Sequence, residues 1–169
     1  MAAGNTYTPL ATNTLATDTQ TITFSSISGS YTDLVIVGSV GRDATGGSGI
    51  NMRYNGDTAT NYSYTILEGN GATATSNRGT STSLIYVGYD AAPTTTLGEL
   101  MFIVNIMNYS NSTTYKTCVE RINIASVSTE AIVGLWRSTA AITSVSLFLG
   151  GTVKFKTGST FSLYGILAA

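Results

Sequence analysis

From residue 19 onward, apolar and polar positions alternate with a period of two, in short segments separated by turn residues every ten or so positions. Ile50, Met52 and Tyr54, for example, alternate with polar neighbours and are followed by an Asn-Gly-Asp turn sequence at 55–57. β-Branched and aromatic residues at this period are typical of β-strands, and no segment has the 3.6-residue period of a helix. The pattern predicts strands over 21–25, 33–42, 50–54, 61–68, 83–89, 99–109, 114–125, 131–137, 142–149 and 161–167, with a short extended piece over 153–155.

An all-β chain with evenly spaced short strands is typical of a sandwich or barrel, and two packed sheets are the simpler arrangement. We therefore predict an all-β fold, an antiparallel β-sandwich of jelly-roll type with about nine or ten short strands. The run at 34–37 is apolar at every position, which predicts a central strand buried on both faces. Trp136 is predicted to be a core aromatic residue, and Gly38, Gly88 and Gly134 are predicted to be bulges or close-packing points.

The first 18 residues differ from the rest because their larger apolar side chains are few and isolated. Such a segment predicts neither an amphipathic helix nor a long strand. We divide the chain into an extended N-terminal arm, residues 1–18, and a jelly-roll-like β-sandwich domain, residues 19–169. A segment with so few apolar side chains cannot offset its own ordering entropy, so we expect it to be ordered only against a neighbour. Its interface candidates are Tyr7, Pro9, Leu10 and Leu15.

Residues 69–79 form the longest stretch without a strand pattern, rich in Gly, Asn, Thr and Ala. Long loops in compact domains are often functional. We therefore predict an exposed contact loop here, with Asn70, Asn77 and Arg78 as its candidate residues.

Only 10% of the residues are charged, against about a quarter in an average protein, so hydroxyl and amide groups must form most of the surface. The net charge of −1 and the scattered basic residues provide no cationic patch for phosphates, so we expect no nucleic-acid partner. No apolar run approaches the ~20 residues that span a bilayer, and the first five residues lack the segments of a signal peptide. We therefore expect no membrane partner and synthesis in a cytoplasm. The near-zero net charge favours self-association.

Histidine is absent from the chain, which excludes the usual serine and cysteine triads and the common zinc sites. Cys118 lies at strand spacing and is predicted to be a small buried side chain with an unreactive thiol. The carboxylates that could bind calcium or magnesium are dispersed and lack a ligand spacing. Glu120 and Glu130 would lie close together if their strands paired, but nothing in the sequence places them in a cleft. We therefore predict a non-enzymatic protein with no catalytic residue, no metal ligand and no cofactor.

Ten tyrosines occur together with many Asn, Ser, Thr and Gly residues, a mixture that is typical of adaptable binding surfaces and suits carbohydrate contact. Tyr62, Tyr64, Tyr86 and Tyr89 are the tyrosines to inspect for such a role. The alternative is that most of them are half-buried sheet residues.

Several ordered segments, which together cover roughly residues 6 to 167, carry a resemblance to a known family. They read YTDLVIVG at 31–38, NYSYT at 61–65, IMNYSNSTTYKT at 106–117, GLWRSTAAI at 134–142 and GSTFSLYGI at 158–166. In these segments the chain resembles a β-sandwich domain that recurs in structural proteins of tailed bacteriophages, cyanophages among them. The resemblance implies a non-enzymatic virion protein and carries over no catalytic residue.

Two roles follow from this resemblance: a capsid decoration (cement) protein on the outer shell, or the terminal domain of a tail or head fibre. A fibre normally has an attachment module and a shaft ahead of its tip, whereas only about 18 residues precede the first predicted strand. This favours the decoration protein, located on the outer capsid surface of the virion. By analogy with decoration proteins, we expect a homotrimer bound to the phage major capsid protein. In the fibre alternative the protein lies on the tail or head fibre, and the partner is a host glycan or receptor that contacts residues 69–82 and the tyrosines.

Overall fold

The computed structural model describes residues 6–45, 49–89 and 94–167. These ranges contain antiparallel β-strands and no helix, so none of their segments is a helix that could cross a membrane. The all-β prediction is confirmed. The twelve strands are β1 Tyr7–Thr14, β2 Thr21–Phe24, β3 Asp33–Val40, β4 Ile50–Tyr54, β5 Tyr62–Gly69, β6 Ala74–Thr82, β7 Ile85–Tyr86, β8 Leu100–Met107, β9 Lys116–Ile124, β10 Ser128–Trp136, β11 Val145–Leu149 and β12 Thr160–Ile166.

The strands form two antiparallel sheets of unequal width. The larger sheet has eight strands in the order β1-β12-β3-β8-β9-β10-β5-β6, and the smaller has four in the order β2-β11-β4-β7. One core cluster contains side chains of both sheets, an arrangement consistent with a β-sandwich. The smaller sheet contributes residues such as Ile22, Met52 and Leu147 to this core, and the larger contributes residues such as Ile36 and Phe102. Because a four-stranded sheet faces an eight-stranded one, the larger sheet has much more surface than the smaller sheet can cover.

The period-two pattern appears directly as alternating burial along the strands. In β9 the side chains of Lys116, Cys118 and Glu120 are buried, whereas Val119 and Arg121 between them are exposed. This alternation arises because successive side chains of a strand point to opposite faces of the sheet. The isolated bridge between Arg42 and Phe155 accounts for the short extended piece that the sequence predicts over 153–155.

The turn sequence after β4 has the backbone that its residues predict. Asn55 and Gly56 both have positive φ, at 52° and 67°, which suits a tight reversal. The turn also places Asp57 where its Oδ2 accepts a hydrogen bond from Trp136 Nε1 at 2.7 Å. Hydrogen bonds from Asn61 and Trp136 lower the pKa of Asp57. Trp136 is 3% exposed, which confirms the prediction that it is a core residue.

The prediction that the N-terminal segment is too poor in apolar residues for a long strand is wrong. Tyr7–Thr14 forms β1, an edge strand of the larger sheet that pairs antiparallel with β12 of the same chain, and Leu15 is buried in the core. Backbone hydrogen bonds to β12 order this segment, although few of its side chains are apolar. A boundary between residues 18 and 19 therefore does not separate an arm from the sheet.

The predicted loop over 69–79 is also largely a strand. Ala74–Thr82 forms β6, which pairs with β5 as a hairpin, so only the turn around Asn70 is irregular. Together with β1 and β10, which begins three residues earlier than predicted, β6 makes the sheets larger than the sequence indicates. The described residues thus form more strands than the nine or ten predicted.

Gly134 is a close-packing point between the sheets, as predicted. A Cβ atom at this position would lie 2.6 Å from Cys118 Sγ and 2.8 and 2.9 Å from two side-chain carbons of Ile85. Because Gly134 lies in the larger sheet and Ile85 in the smaller, the added methyl group would push the sheets apart. We expect Gly134→Ala to lower the free energy of unfolding by about 1–3 kcal/mol, measured by urea unfolding. Gly69→Ala is the control, since a Cβ there meets nothing within 4 Å; equal stability of the two variants would contradict the prediction.

Candidate functional site

The strongest candidate surface is the outer face, defined as the side of the eight-stranded sheet that points away from the four-stranded sheet. Its central strands β8, β9, β10 and β5 lie side by side, and the antiparallel register aligns their outward side chains in rows. Val119 lies directly opposite Val133, and Ala131 lies opposite Leu67. The outward apolar side chains on and beside these strands are exposed or half-buried: Val37, Leu67, Met101, Ile103, Met107, Val119, Ala131, Val133 and Leu135.

The outer face carries few charges. Arg121 lies near its centre, opposite Ile103 and Ala131, while Asp33 and Arg78 lie toward its margins. The eight strands of the sheet are separated by seven spacings of about 4.8 Å, and each strand contributes a length of about seven residues. The outer face as a whole therefore has an area of roughly 800 Å². That area is close to the ~800 Å² that each partner contributes to a typical stable interface. Exposed apolar side chains grouped on one face usually mark an interaction site.

The four interface candidates of the N-terminal segment separate into two groups. Tyr7 and Pro9 are exposed on β1, and the Tyr7 ring packs edge to face with Tyr164 of β12 at 6.3 Å between centroids. They therefore extend the outer face to its β1 margin. Leu10 is half-buried against the core and Leu15 is buried in it, so these two side chains stabilise the fold of their own chain.

The three exposed-loop candidates lie at the opposite margin of the larger sheet. All three side chains are exposed, but Asn77 and Arg78 belong to the edge strand β6 and not to a loop. Asn70 lies in the β5–β6 turn, where its Oδ1 accepts hydrogen bonds from the N–H groups of Ala72 and Thr73 at 3.0 and 2.8 Å. Asn70 thus stabilises the turn, and the other two line the open edge of the sheet.

Three of the four inspected tyrosines form a cluster beside β6. The ring centroids of Tyr64 and Tyr86 are 5.0 Å apart and those of Tyr86 and Tyr89 are 4.9 Å apart, both in edge-to-face geometry. The three rings are half-buried, and the Tyr64 ring packs where a side chain at Gly79 would otherwise lie. Burial raises the pKa of Tyr64 and of Tyr86, so both hydroxyls remain protonated donors at neutral pH. Tyr62, in contrast, is fully buried in the core.

The carboxylates that could have suggested a hydrolase lie in the interior. β9 and β10 pair, as the sequence allowed, but Glu120 is fully buried and Glu130 is 2% exposed. Glu120 Oε1 accepts a hydrogen bond from Cys118 Sγ at 3.1 Å, and Glu130 Oε2 accepts one from the Tyr89 N–H at 2.8 Å. Burial, reinforced by the neighbouring Glu130, raises the pKa of Glu120 to about 8.

The thiol beside this carboxylate is also buried. Burial and the nearby Glu120 raise the pKa of Cys118 well above its usual value, so the thiol stays protonated, as predicted. Within the described ranges, no three Asp, Glu or Cys side chains are grouped so that they could hold a metal ion. The exposed candidates are therefore the outer face and the tyrosine cluster.

The chain matches no protein-family model and no curated protein.

Proposed function

We propose that this chain is a non-enzymatic structural protein of a phage virion, a capsid decoration protein that binds the outer shell and stabilises it. The observation that carries the proposal is the exposed apolar outer face of the larger sheet. A protein that binds only the expanded shell shifts the shell's equilibrium by its binding free energy at every site. With one charge near its centre, the outer face forms contacts that depend mainly on apolar burial and little on salt.

The order of the strands supports a jelly-roll fold. When the hairpins β5–β6 and β9–β10 are set aside, eight strands remain, and they pair in a nested order. The first pairs with the last, the second with the second last, and so on: β1 with β12, β2 with β11, β3 with β8 and β4 with β7. This is the pairing of one long hairpin rolled into two sheets, as in the eight-stranded jelly rolls common in viral capsid proteins. The two extra hairpins then widen one sheet only, and the outer face becomes wider with it.

The test of the proposal is the position and copy number of this protein in the intact particle, determined by cryo-electron microscopy. Many copies on the shell, associated as trimers with the outer face against the major capsid protein or a neighbouring copy, are the expected result. Stripping the protein should then lower the temperature at which the particle releases its DNA. An unchanged release temperature would contradict the proposal.

The tyrosine cluster favours a second candidate, a fibre component that binds a host glycan or receptor. Half-buried Tyr rings that pack against β6, a strand rich in Ser and Thr, suit contact with a saccharide. In that case Tyr86→Ala should abolish binding on a glycan array of host-surface oligosaccharides, whereas Tyr115→Ala, a change of an exposed tyrosine elsewhere, should not. Absence of binding by the unmodified protein, together with many copies on the shell, would exclude this candidate.

A further inference from the structure

A groove of about 430 Å³ opens between the two sheets on the side where β1 and β2 form their edges. Its apolar lining includes Leu10 of β1, Leu163 of β12 and the ring of Tyr31. This volume lies in the usual range for small-molecule sites, which combine an apolar surface with a few convergent polar groups. The groove lies at the edge of the sandwich opposite the tyrosine cluster, since β1 and β2 end their sheets on one side and β6 and β7 end them on the other.

The polar groups around the groove are uncharged and have hydrogen-bonding capacity to spare. The lining includes Asn13, Ser25 and Ser26 and contains no Asp, Glu, Lys or Arg. In the described parts of the chain, the Asn13 amide, the hydroxyls of both serines and the Tyr31 hydroxyl form no hydrogen bond to protein. A neutral ligand that both donates and accepts hydrogen bonds therefore matches these groups, whereas an ionic ligand would find no counter-charge.

The irregular segment 25–32 that forms one wall is held in place by the rest of the fold. The Ile27 N–H donates to Thr143 O at 3.0 Å and the Thr32 N–H donates to Ile166 O at 2.8 Å. The Tyr109 hydroxyl donates to Ser28 O, and Ser110 Oγ donates to Tyr31 O at 3.3 Å. A wall fixed in this way loses little conformational entropy when a ligand binds.

Ser26 in this wall has a φ of 55°, as does Ser81 on β6 outside the groove, so this backbone conformation is not specific to the groove. The position of the Tyr31 ring points to a binding role. The Tyr31 ring packs where a side chain at Gly165 would lie, since a Cβ there would come within 2.5–2.7 Å of the ring. The ring thus packs against Gly165 on one side and lines the groove.

We propose that this groove binds a neutral oligosaccharide. Hydroxyl and amide groups around an aromatic ring can bond sugar hydroxyls while the ring packs against the apolar face of the sugar. An extended peptide fits less well as an occupant. Pro9 has no N–H, the register of β1 shifts between Pro9 and Ala11, and β2 is only four residues long, so neither edge offers an uninterrupted ladder. The proposal holds for a decoration protein and for a fibre component alike.

The test uses the full-length protein and saturation-transfer NMR with maltotriose, cellotriose and mannotriose, and with 3′-sialyllactose as an anionic comparison. We expect at least one neutral trisaccharide to bind with a Kd on the order of 1 mM or tighter, and more tightly than sialyllactose. Ala11→Trp, which fills the groove from β1, should weaken that binding at least about tenfold. Ala74→Trp is the matched control, because Ala74 is also an exposed alanine on an edge strand but lies outside the groove.

A second pair of variants tests the same groove without introducing a bulky side chain. Ser26→Gly deletes one hydroxyl at a backbone conformation that glycine adopts freely, and we expect about two- to tenfold weaker binding. Ser81→Gly makes the same change at a serine with the same φ of 55° on β6, and it should bind as the unmodified protein does. Thermal unfolding of all four variants checks that each is folded. Absence of binding to every neutral trisaccharide, preference for sialyllactose, or unchanged binding by the folded Ala11→Trp variant would overturn the proposal.

Discussion

Replacing Glu120 with Gln is expected to remove a large pH dependence of stability between about pH 5 and pH 8. Burial raises the pKa of this carboxyl from 4.5 to about 8 in the folded protein. Above pH 4.5 the unfolded chain loses the proton that the folded protein keeps, so the unfolded state is increasingly favoured as the pH rises toward 8. At 1.36 kcal/mol per pKa unit, the wild-type protein loses roughly 3–4 kcal/mol of stability between pH 5 and pH 8. Glu120→Gln, which carries no titrating proton, should not show this loss.

The measurement is urea unfolding of both proteins at pH 5, 6, 7 and 8. The interval is favourable because the chain contains no histidine. Tyr54 and Cys118, which pack beside Glu120, have pKa values raised well above their usual ranges and remain protonated there. Glu99→Gln is the control: it makes the same change at an exposed position and leaves Glu120 in place, so the loss of stability caused by Glu120 should remain. A wild-type stability that is constant from pH 5 to pH 8 would contradict a buried, protonated Glu120.

Glu120 also shows what alternation can and cannot predict. The period-two pattern assigned the strands well because each buried face follows from residue types at every second position, as in β8 and β9. A pattern of this kind places Lys116 and Glu120 on the same face as Cys118 and Ile122, but it does not show that this face is the buried one. Burial of the two charged residues depends on distant parts of the chain: Tyr54 of β4 lies beside Glu120, and Thr139 O, after β10, accepts a hydrogen bond from Lys116 Nζ at 3.2 Å.

The two strands that the sequence analysis missed, β1 and β6, are both at edges of the larger sheet. β6 is almost entirely exposed, and β1 nearly so, because neither has a strong apolar face. Their order comes from backbone hydrogen bonds to β12 and β5, and the pairing of β1 with β12 joins the two ends of the described chain. Side-chain periodicity does not identify such strands, because an alternating pattern of residue types arises only where one face of the strand is buried, and both faces of these strands are mostly exposed.

The outer face likewise could not be predicted from the sequence. Val119 and Val133 alternate with buried residues as any outward-facing residues would, and nothing in their spacing shows that they pair or that neighbouring strands extend the patch. Only the strand order, which places β9, β10 and β5 side by side, makes Val119, Val133 and Leu67 neighbours on one face of the sheet. The tyrosine cluster could be predicted in part, because three of the four tyrosines selected by composition meet beside β6.

The outer face provides the second large expected effect, which rests on the proposed role as a decoration protein. Val133→Asp places a carboxylate at the centre of this face, directly opposite Val119. In the unbound protein the position is 52% exposed, so the charge stays hydrated and we expect a folded protein. In the bound state the carboxylate would lose its hydration, and Arg121, its diagonal neighbour on β9, would offset only part of that cost, leaving about 2 kcal/mol or more. Binding to shells that lack this protein, measured by co-sedimentation, should weaken at least about 30-fold.

Val127→Asp separates loss of this contact from a general effect of added negative charge. Val127 is 48% exposed, almost as much as Val133, but it lies in the turn between β9 and β10 at the end of the sheet. The same substitution there changes the net charge equally and leaves the centre of the outer face apolar, so shell binding should change little. If Val133→Asp and Val127→Asp bind the shell equally well, the outer face does not contact it. The many apolar side chains exposed on that sheet would then have to be covered by another copy of the chain, and sedimentation of Val133→Asp in the absence of shells would reveal a smaller oligomer than that of the wild-type protein.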